Sequence, residues 1–256
     1  MVKNFHYSKR INKLVGKANA EYSLITEGDR VLIGLSGGKD SFVLLHMLDR
    51  MKKIAPFDFE FTAITIDSMT GIDYSVLKDH CDKFGIEYIR YETPIFDILK
   101  EKKRENSSAC GFCARMRRGA FYSKALELGY NKIALGHHLD DAIETFFMGF
   151  FYNGMMRSMP PKYKAYNGIE VIRPLILVRE RYIQYMSDEN KFPIIDAEGS
   201  CLAIQEGDKK QPFVREKIKG FLKDLELEYK DVFTSMEAGF KNISPETFLD
   251  RKFLDE

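Results

Sequence analysis

The order of apolar and polar positions predicts strands that alternate with helices over the first two thirds of the chain. Short apolar runs, typical of strands buried on both faces, predict strands at 31–35, 59–66, 86–91 and 132–135, with a short fifth at 171–172. Helical spacing predicts helices from about residue 40 and over 73–84, 112–128 and 141–151. Beyond residue 172 the pattern is mainly helical.

This alternation predicts an α/β fold in which a parallel, twisted sheet carries helices on both faces, as in Rossmann-like proteins. The predicted organisation is an N-terminal helical segment over 1–25, the α/β domain over 26–175 and a mainly helical C-terminal region over 176–256. Ligands bind such sheets beyond the carboxyl ends of the strands. The segments predicted to lie there are the loop after Leu35, Asp67 and Gly136-His137-His138.

The loop after the first predicted strand reads Ser36-Gly37-Gly38-Lys39-Asp40-Ser41 and leads directly into a predicted helix. Two glycines allow the backbone to approach a phosphate closely, and a helix N-terminus behind them supplies positive potential. Lys39 adds a cation and the two serines add hydroxyl donors. The glycines are adjacent, so this is not the G-x-x-x-x-G-K-[ST] pattern. The alternative is an ordinary glycine-containing turn between a strand and a helix.

These six residues are similar, without substitution, to the signature of the PP-loop ATP-pyrophosphatases, whose fold is adenine nucleotide alpha-hydrolase-like. The resemblance implies a protein that cleaves ATP between its α and β phosphates, adenylates a substrate oxygen and uses Mg²⁺. Asp40 is then a candidate Mg²⁺ ligand, although capping of the helix N-terminus would explain the same residue. The candidate ATP-binding residues are Leu35, Ser36, Gly37, Gly38, Lys39, Asp40, Ser41, Asp67, Gly136 and His137.

Four cysteines are too few for a disulfide scaffold in a chain of 256 residues. Cys110 and Cys113 have the C-x-x-C spacing, which in a reducing compartment indicates metal binding or redox chemistry. One pair cannot fill a tetrahedral zinc site, and Cys201 is the candidate third ligand. Three thiolates on a [4Fe-4S] cluster would leave one iron without a protein ligand. A pair without any metal is an equal alternative, and Cys81 is expected to be a semi-buried apolar residue of a helix.

Longer segments resemble one branch of the PP-loop enzymes, the tRNA 2-thiocytidine synthetases or tRNA-cytidine 2-sulfurtransferases. The resemblance covers most of the chain from about residue 13 and is carried by the Ser36–Ser41 loop, 110–119, 132–141, 150–161 and 192–195. It implies that ATP activates the C2 oxygen of a tRNA cytidine at position 32 and that sulfur replaces this oxygen. It also implies that Cys110, Cys113 and Cys201 hold a [4Fe-4S] cluster. Cys201 is followed three positions later by Ile204, where the family often has a second cysteine.

Arg117 and Asp141 match positions at which the resembling thiolases place a catalytic cation and a catalytic carboxylate. We expect Arg117 to stabilise charge on the phosphate or leaving group, and Asp141 to handle a proton or orient the base. The simpler roles are contact with the tRNA backbone for Arg117 and helix capping for Asp141.

The net charge of +1 excludes a globally basic nucleic-acid binder, so a tRNA-binding surface has to be local. Basic residues flank the cysteine pair at 100–104 and 115–118, and a second basic group lies at 209–219. Tyr152, Tyr163 and Tyr166 are candidate platforms for unstacked bases, although core packing would explain them equally well. The resemblance further implies a sulfur donor, such as a cysteine desulfurase or free sulfide, and a homodimer.

No apolar run approaches 20 residues and the N-terminus lacks the apolar core of a signal peptide, so a cytoplasmic protein without a membrane span is expected. Three alternatives stay open: a thiolase acting on a tRNA uridine, a PP-loop amidotransferase or ligase acting on a small molecule, and a nucleotide-sensing protein. The sequence lacks the paired-cysteine zinc modules typical of uridine thiolases, which favours the cytidine branch.

Overall fold

The computed structural model describes residues 5–101, 109–195 and 212–253. Its helices are α1 (Lys9–Tyr22), α2 (Lys39–Ile54), α3 (Ser75–Phe84), α4 (Ile95–Glu101), α5 (Ala109–Glu127), α6 (Leu139–Asn153), α7 (Glu180–Asn190), α8 (Pro212–Glu228) and α9 (Val232–Gly239), followed by short 3-10 helices at Pro245–Thr247 and Arg251–Phe253. Its strands are β1 (Arg30–Gly34), β2 (Glu60–Asp67), β3 (Tyr88–Glu92), β4 (Lys132–Ala134), β5 (Lys162–Lys164) and β6 (Glu170–Ile172). Within these ranges no helix is both long and apolar enough to cross a membrane.

The strands form one sheet in the order β3-β2-β1-β4-β6-β5. Every neighbouring pair is parallel except β5 and β6, which are antiparallel. The chain moves outwards from β1 to β2 and β3, then returns to the other side of β1 with β4. Doubly wound sheets bind ligands where the strand order reverses in this way. The loops after β1 and β4 therefore lie side by side at the ligand-binding edge, and the predicted parallel α/β sheet is confirmed.

The central strand β1 is buried on both faces because helices cover the sheet on each side. Val31 and Ile33 belong to the larger apolar cluster, which includes residues of α1, α2, α3 and α7. Leu32 belongs to a second cluster on the opposite face, which includes residues of α5. Successive side chains of a strand point to opposite faces, so burial on both sides accounts for the continuous apolar run. A third cluster joins α6, α8 and α9.

Three elements differ from the sequence-based prediction. Helix α5 begins at Ala109 rather than near Phe112, so Cys110 lies inside the helix together with Cys113 and not before it. Helix α4 and strand β5 were not predicted, because seven and three residues respectively are too short to show a clear hydrophobic period. Cys201 and the basic residues Lys102, Lys103, Arg104, Lys209 and Lys210 lie outside the described residues.

Candidate active site

The loop between β1 and α2 is shaped by its own hydrogen bonds. Gly37 has a φ of +88°, a conformation that glycine adopts without strain. The Ser41 hydroxyl donates to the Gly38 carbonyl oxygen at 2.7 Å, and the Gly38 amide donates to Ser36 Oγ at 3.3 Å. Gly38 is the N-cap of α2 and has no side chain with which to cap it. The first amides of α2 are therefore available to an anion.

The loop after β4 approaches the Ser36–Ser41 loop closely at Gly136. A Cβ atom on Gly136 would lie 3.1 Å from both the carbonyl carbon and the carbonyl oxygen of Asp40. These are backbone atoms, which cannot move without shifting α2. Gly136 therefore allows the two loops to meet at the point where the strand order reverses.

Lys39 is held between two carboxylates. Its Nζ lies 2.9 Å from Glu180 Oε1 and 3.8 Å from Asp40 Oδ1. Burial alone would lower the pKa of Lys39, but the Asp40 and Glu180 carboxylates outweigh this effect and raise the pKa. The lysine is thus a permanent cation beside the N-terminus of α2.

Asp40 does not cap α2, because Gly38 is the N-cap residue and no side-chain capping hydrogen bond forms there. The capping explanation of Asp40 is therefore wrong. Among the described residues, its Oδ1 atom is buried without a hydrogen-bond partner, and Lys39 Nζ and His138 Nε2 are each 3.8 Å away. Burial raises the pKa of Asp40. A buried carboxylate oxygen without a hydrogen bond is costly, and oxygen is the ligand type that Mg²⁺ prefers.

Asp141 has a clear structural role at the start of α6. The Asp141 amide donates to His138 Nδ1 at 3.4 Å, and the His138 amide donates to Asp141 Oδ2 at 3.1 Å, which together form a capping box. The capping explanation of Asp141 is therefore confirmed. Its second oxygen, Oδ1, accepts from Arg215 Nη1 of α8 at 3.0 Å. The carboxylate is consequently fixed between the N-terminus of α6 and a cation.

His137 follows Gly136 and is oriented by Arg173, which lies just after β6. Arg173 Nε donates to His137 Nδ1 at 3.4 Å, while Arg173 Nη1 donates to the Pro160 carbonyl oxygen at 2.6 Å. Burial, reinforced by the Arg173 charge, lowers the pKa of His137 to about 4. Since Nδ1 accepts a hydrogen bond, the neutral ring carries its hydrogen on Nε2. His137 thus offers an N–H donor at the carboxyl edge of the sheet.

Asp67 and Ser68 end β2 and organise the neighbouring loop. The buried Asp67 carboxylate accepts from the Met69 amide at 2.8 Å and from Arg90 Nε and Nη2 at 2.9 and 2.7 Å. Ser68 is buried, and its Oγ accepts from Arg117 Nε of α5 at 2.9 Å. The loop after β2 therefore connects α5 to the same edge of the sheet as the Ser36–Ser41 loop.

The cysteine pair lies at the start of α5, three positions apart. A helix N-terminus favours the thiolate form of a cysteine. The Cys113 side chain is half-buried, whereas Cys201 lies outside the described residues. Cys81 is completely buried in α3, and burial raises its pKa to about 12. The expectation that Cys81 acts as a small apolar residue is thus confirmed.

Three charged residues of the site, Asp140, Arg173 and Glu180, escaped the sequence analysis, and Arg215 was assigned to a basic surface for tRNA and not to this site. Glu180 lies 141 positions from Lys39 in the chain, so no local spacing connects the two. An acidic residue in the first turn of a helix ordinarily complements the helix dipole. Asp140, Arg173 and Glu180 share one signal, because each stands at the start of a helix or just after the end of a strand at the same edge of the sheet.

This fold, together with a glycine-rich loop between β1 and α2, defines the PP-loop class of proteins. The family described as PP-loop domain matches residues 4–198 of the chain, which therefore belongs to it. The chain is 41% identical to the tRNA-cytidine(32) 2-sulfurtransferase of Citrifermentans bemidjiense, over 94% of this chain and 93% of that protein. It is 38% identical to the protein of the same name from Escherichia coli O127:H6, over 96% of this chain and 78% of that protein. The chain belongs to the tRNA-cytidine(32) 2-sulfurtransferase family and is an enzyme of the tRNA sulfurtransferase class.

Among solved structures, the fold is similar to that of the U34-tRNA thiolase NcsA from Methanococcus maripaludis, solved with its [4Fe-4S] cluster. The TM-score is 0.69, and the match covers 91% of this chain and 77% of that one. The sequence identity is 22%, so the comparison supports a common fold.

Proposed function

We propose that this protein uses ATP to adenylate the C2 oxygen of cytidine 32 in tRNA and then replaces that oxygen with sulfur. One contact supports the proposal most. Arg117 lies on the helix that carries the cysteine pair, and it donates to Ser68 in the loop after β2. Strand β2 pairs with β1, from which the Ser36–Ser41 loop emerges. The Ser36–Ser41 loop, which binds ATP in this proposal, and helix α5, which carries the cysteine pair, are therefore parts of one site.

In this proposal ATP binds with its phosphates against the N-terminus of α2 and the Lys39 ammonium group. Gly136 leaves room for the nucleotide beside the loop, and His137 donates a hydrogen bond from Nε2. Leu35 and Asp67 are both buried, so their contribution is to hold the shape of the two loops.

Mg²⁺ would bind at Asp40. Support comes from the buried Oδ1 atom, which has no hydrogen-bond partner among the described residues. When bound, Mg²⁺ would neutralise phosphate charge during release of pyrophosphate. Lys39 and the N-terminus of α2 would supply the rest of the positive charge around the phosphates.

The proposed reaction has two steps. In the first, the cytidine C2 oxygen attacks the α phosphorus of ATP, and pyrophosphate leaves. In the second, a sulfur nucleophile attacks C2, the bond from C2 to oxygen breaks, and AMP leaves with that oxygen. Arg117 would stabilise charge on the phosphate, while Asp141, fixed by its capping box, would take a proton or orient the base.

The spacing of the cysteine pair supports an iron–sulfur cluster in this proposal. Cys110 and Cys113 lie one helical turn apart in α5, and thiolates are the usual ligands of such clusters. Cys201 would be the third ligand. When bound, a [4Fe-4S] cluster held by three cysteines supplies a sulfur nucleophile at the remaining iron.

The tRNA would lie along α5 just beyond the cysteine pair. Arg115 and Arg118 have exposed side chains there and would contact phosphates of the tRNA, which leaves Arg117 for the reacting phosphate. Tyr166 is 88% exposed and would stack on a base, whereas Tyr163 is partly buried and its hydroxyl lies 2.6 Å from the Tyr122 hydroxyl.

A second copy of the chain would cover the apolar surface around the end of α6. Phe150, Phe151 and Met156 are each about half exposed, beside a groove of about 1090 Å³ that α6 forms with α9 and the 3-10 helices. Apolar surfaces of this kind typically mark interfaces. We also propose a cytoplasmic location, where tRNA and reduced thiolates occur together, and a cysteine desulfurase or free sulfide as the sulfur donor.

The function is tested by mass spectrometry of tRNA nucleosides from a deletion strain, combined with iron and sulfide analysis of the protein purified without oxygen. We expect 2-thiocytidine to disappear in the deletion and to return with the wild-type gene. Unchanged 2-thiocytidine would refute the substrate, and a thiolated uridine lost instead would support the uridine alternative. Protein that stays free of iron after reconstitution would refute the cluster. Size-exclusion chromatography with light scattering tests the homodimer.

A further inference from the structure

Glu180 is the closest anionic partner of the lysine in the Ser36–Ser41 loop. Glu180 Oε1 lies 2.9 Å from Lys39 Nζ, whereas the adjacent Asp40 carboxylate is 3.8 Å away. The two side chains are mostly buried, with exposed fractions of 25% for Lys39 and 23% for Glu180. An ion pair so well shielded from water holds its geometry more firmly than a surface pair.

The other carboxylate oxygen of Glu180 is occupied by a second lysine. Lys219 Nζ of α8 lies 2.6 Å from Glu180 Oε2. Burial alone would raise the pKa of Glu180, but Lys219 and Lys39 outweigh it and lower the pKa to about 2. Glu180 is therefore a full negative charge shared between α2 and α8.

The backbone of Glu180 is fixed as well. Its amide donates to Asp140 Oδ2 at 2.7 Å, and Arg179 Nε lies 3.1 Å from Asp140 Oδ1. Arg179 also forms two hydrogen bonds with Glu226 of α8. Hydrogen bonds thus fix the start of α7 to α6 and α8, so the Glu180 carboxylate holds its two lysine partners in fixed positions.

We propose that Glu180 is a positioning residue that holds the Lys39 ammonium group in place for a nucleotide phosphate and is kept in place itself by Lys219. This inference rests on the proposed use of ATP. An ammonium group has three donors, so Lys39 can keep Glu180 on one donor and give another to a phosphate oxygen. The same negative charge repels the phosphates, so Glu180 weakens nucleotide binding while it orients Lys39.

Glu180 is thus expected to weaken nucleotide binding and to assist catalysis, and these opposite effects distinguish a positioning role from simple structural support. In Glu180→Gln the amide oxygen still accepts a hydrogen bond, but the charge is lost. We expect the Kd of α,β-methylene-ATP to fall by about threefold because a nearby anion is removed. We expect kcat for pyrophosphate release with tRNA to fall by about tenfold because a neutral amide holds the Lys39 ammonium group less firmly than a carboxylate does. Lys219→Gln should instead raise the Kd of α,β-methylene-ATP, because Glu180 then has Lys39 as its closest cation and holds the Lys39 ammonium group more tightly.

Isothermal titration calorimetry with α,β-methylene-ATP gives Kd, and a pyrophosphate-release assay gives KM and kcat. Glu189→Gln, an exposed residue of the same helix, is the matched control and should behave like the wild type. A Glu180→Gln protein with wild-type Kd and kcat, or with a higher Kd, would overturn the proposal. If Glu180→Gln fails to fold, a Lys219→Gln protein whose Kd does not rise overturns it equally. A wild-type protein that does not bind the analogue would instead refute the proposed use of ATP.

Discussion

Replacement of Gly37 by alanine should destabilise the protein through its backbone conformation and through one contact with Ile195. The φ of +88° at Gly37 costs a residue with a Cβ atom about 1–2 kcal/mol. That Cβ atom would lie 2.9 Å from Ile195 Cβ and 3.1 Å from two further atoms of the Ile195 side chain. Relief of the contact would move Ile195 and weaken the 3.0 Å hydrogen bond from its amide to the Gly37 carbonyl oxygen, at a further cost of about 1 kcal/mol.

Gly37→Ala should therefore lower the free energy of unfolding by about 2–3 kcal/mol in total, which corresponds to a fall in Tm of roughly 4–12 °C for a chain of this size. The neighbouring Gly38 is the matched control. Its φ is −80°, and a Cβ atom there would come no closer than 3.5 Å to Ser36 Oγ, so Gly38→Ala should cost at most about 1 kcal/mol. Urea denaturation of the three proteins measures both effects. Equal stability of Gly37→Ala and wild type, or greater damage from Gly38→Ala, would refute this account of the loop.

Three further predictions concern buried groups of the fold. Asp40→Asn removes the charge from a carboxylate whose Oδ1 atom is buried without a hydrogen bond and has its nearest cation 3.8 Å away. Thermal melting without Mg²⁺ should therefore show a gain of at most about 1 kcal/mol while Mg²⁺-dependent pyrophosphate release falls; lower stability would contradict the assignment. Cys81 should react with maleimide in the folded protein far more slowly than Cys113, as peptide mass spectrometry can measure, because burial raises the Cys81 pKa to about 12. Burial lowers the pKa of His46 to about 2, below its unfolded value of 6.5, so its contribution to stability is present above pH 6.5 and is lost as the pH falls. Urea denaturation between pH 6.5 and 4 measures how the free energy of unfolding changes with pH. This slope should be smaller by up to about 1.4 kcal/mol per pH unit in His46→Leu than in wild type, and an unchanged slope would be inconsistent with a buried neutral His46.

The strands and the Ser36–Ser41 loop could be predicted because their signals are local. A run such as Val31–Leu35 has one physical explanation, burial on both faces of a sheet, and the sheet confirms it. Strand β5 has only three residues, Lys162–Lys164, and gains its place from pairing with β6 rather than from its own composition.

The residues that complete the site could not be predicted because they approach one another only in the folded chain. Glu180 reaches Lys39 across 141 positions and Arg215 reaches Asp141 across 74. The sequence does place Asp141 at the start of a helix, but the capping box depends on a histidine at the N-cap, a residue type that is uncommon there. Arg215 and Lys219 were assigned to a basic surface for tRNA, whereas both are in ion pairs with carboxylates of the site.

The central claim is that ATP activates the C2 oxygen of cytidine, and the path of that oxygen atom tests it most directly. A tRNA prepared with ¹⁸O at C2 of cytidine 32 would be incubated with ATP, a sulfide source and the reconstituted protein, and the products analysed by mass spectrometry. We expect one ¹⁸O atom in AMP for each sulfur atom introduced into tRNA, with pyrophosphate unlabelled. Thiolated tRNA formed together with unlabelled AMP would contradict the claim.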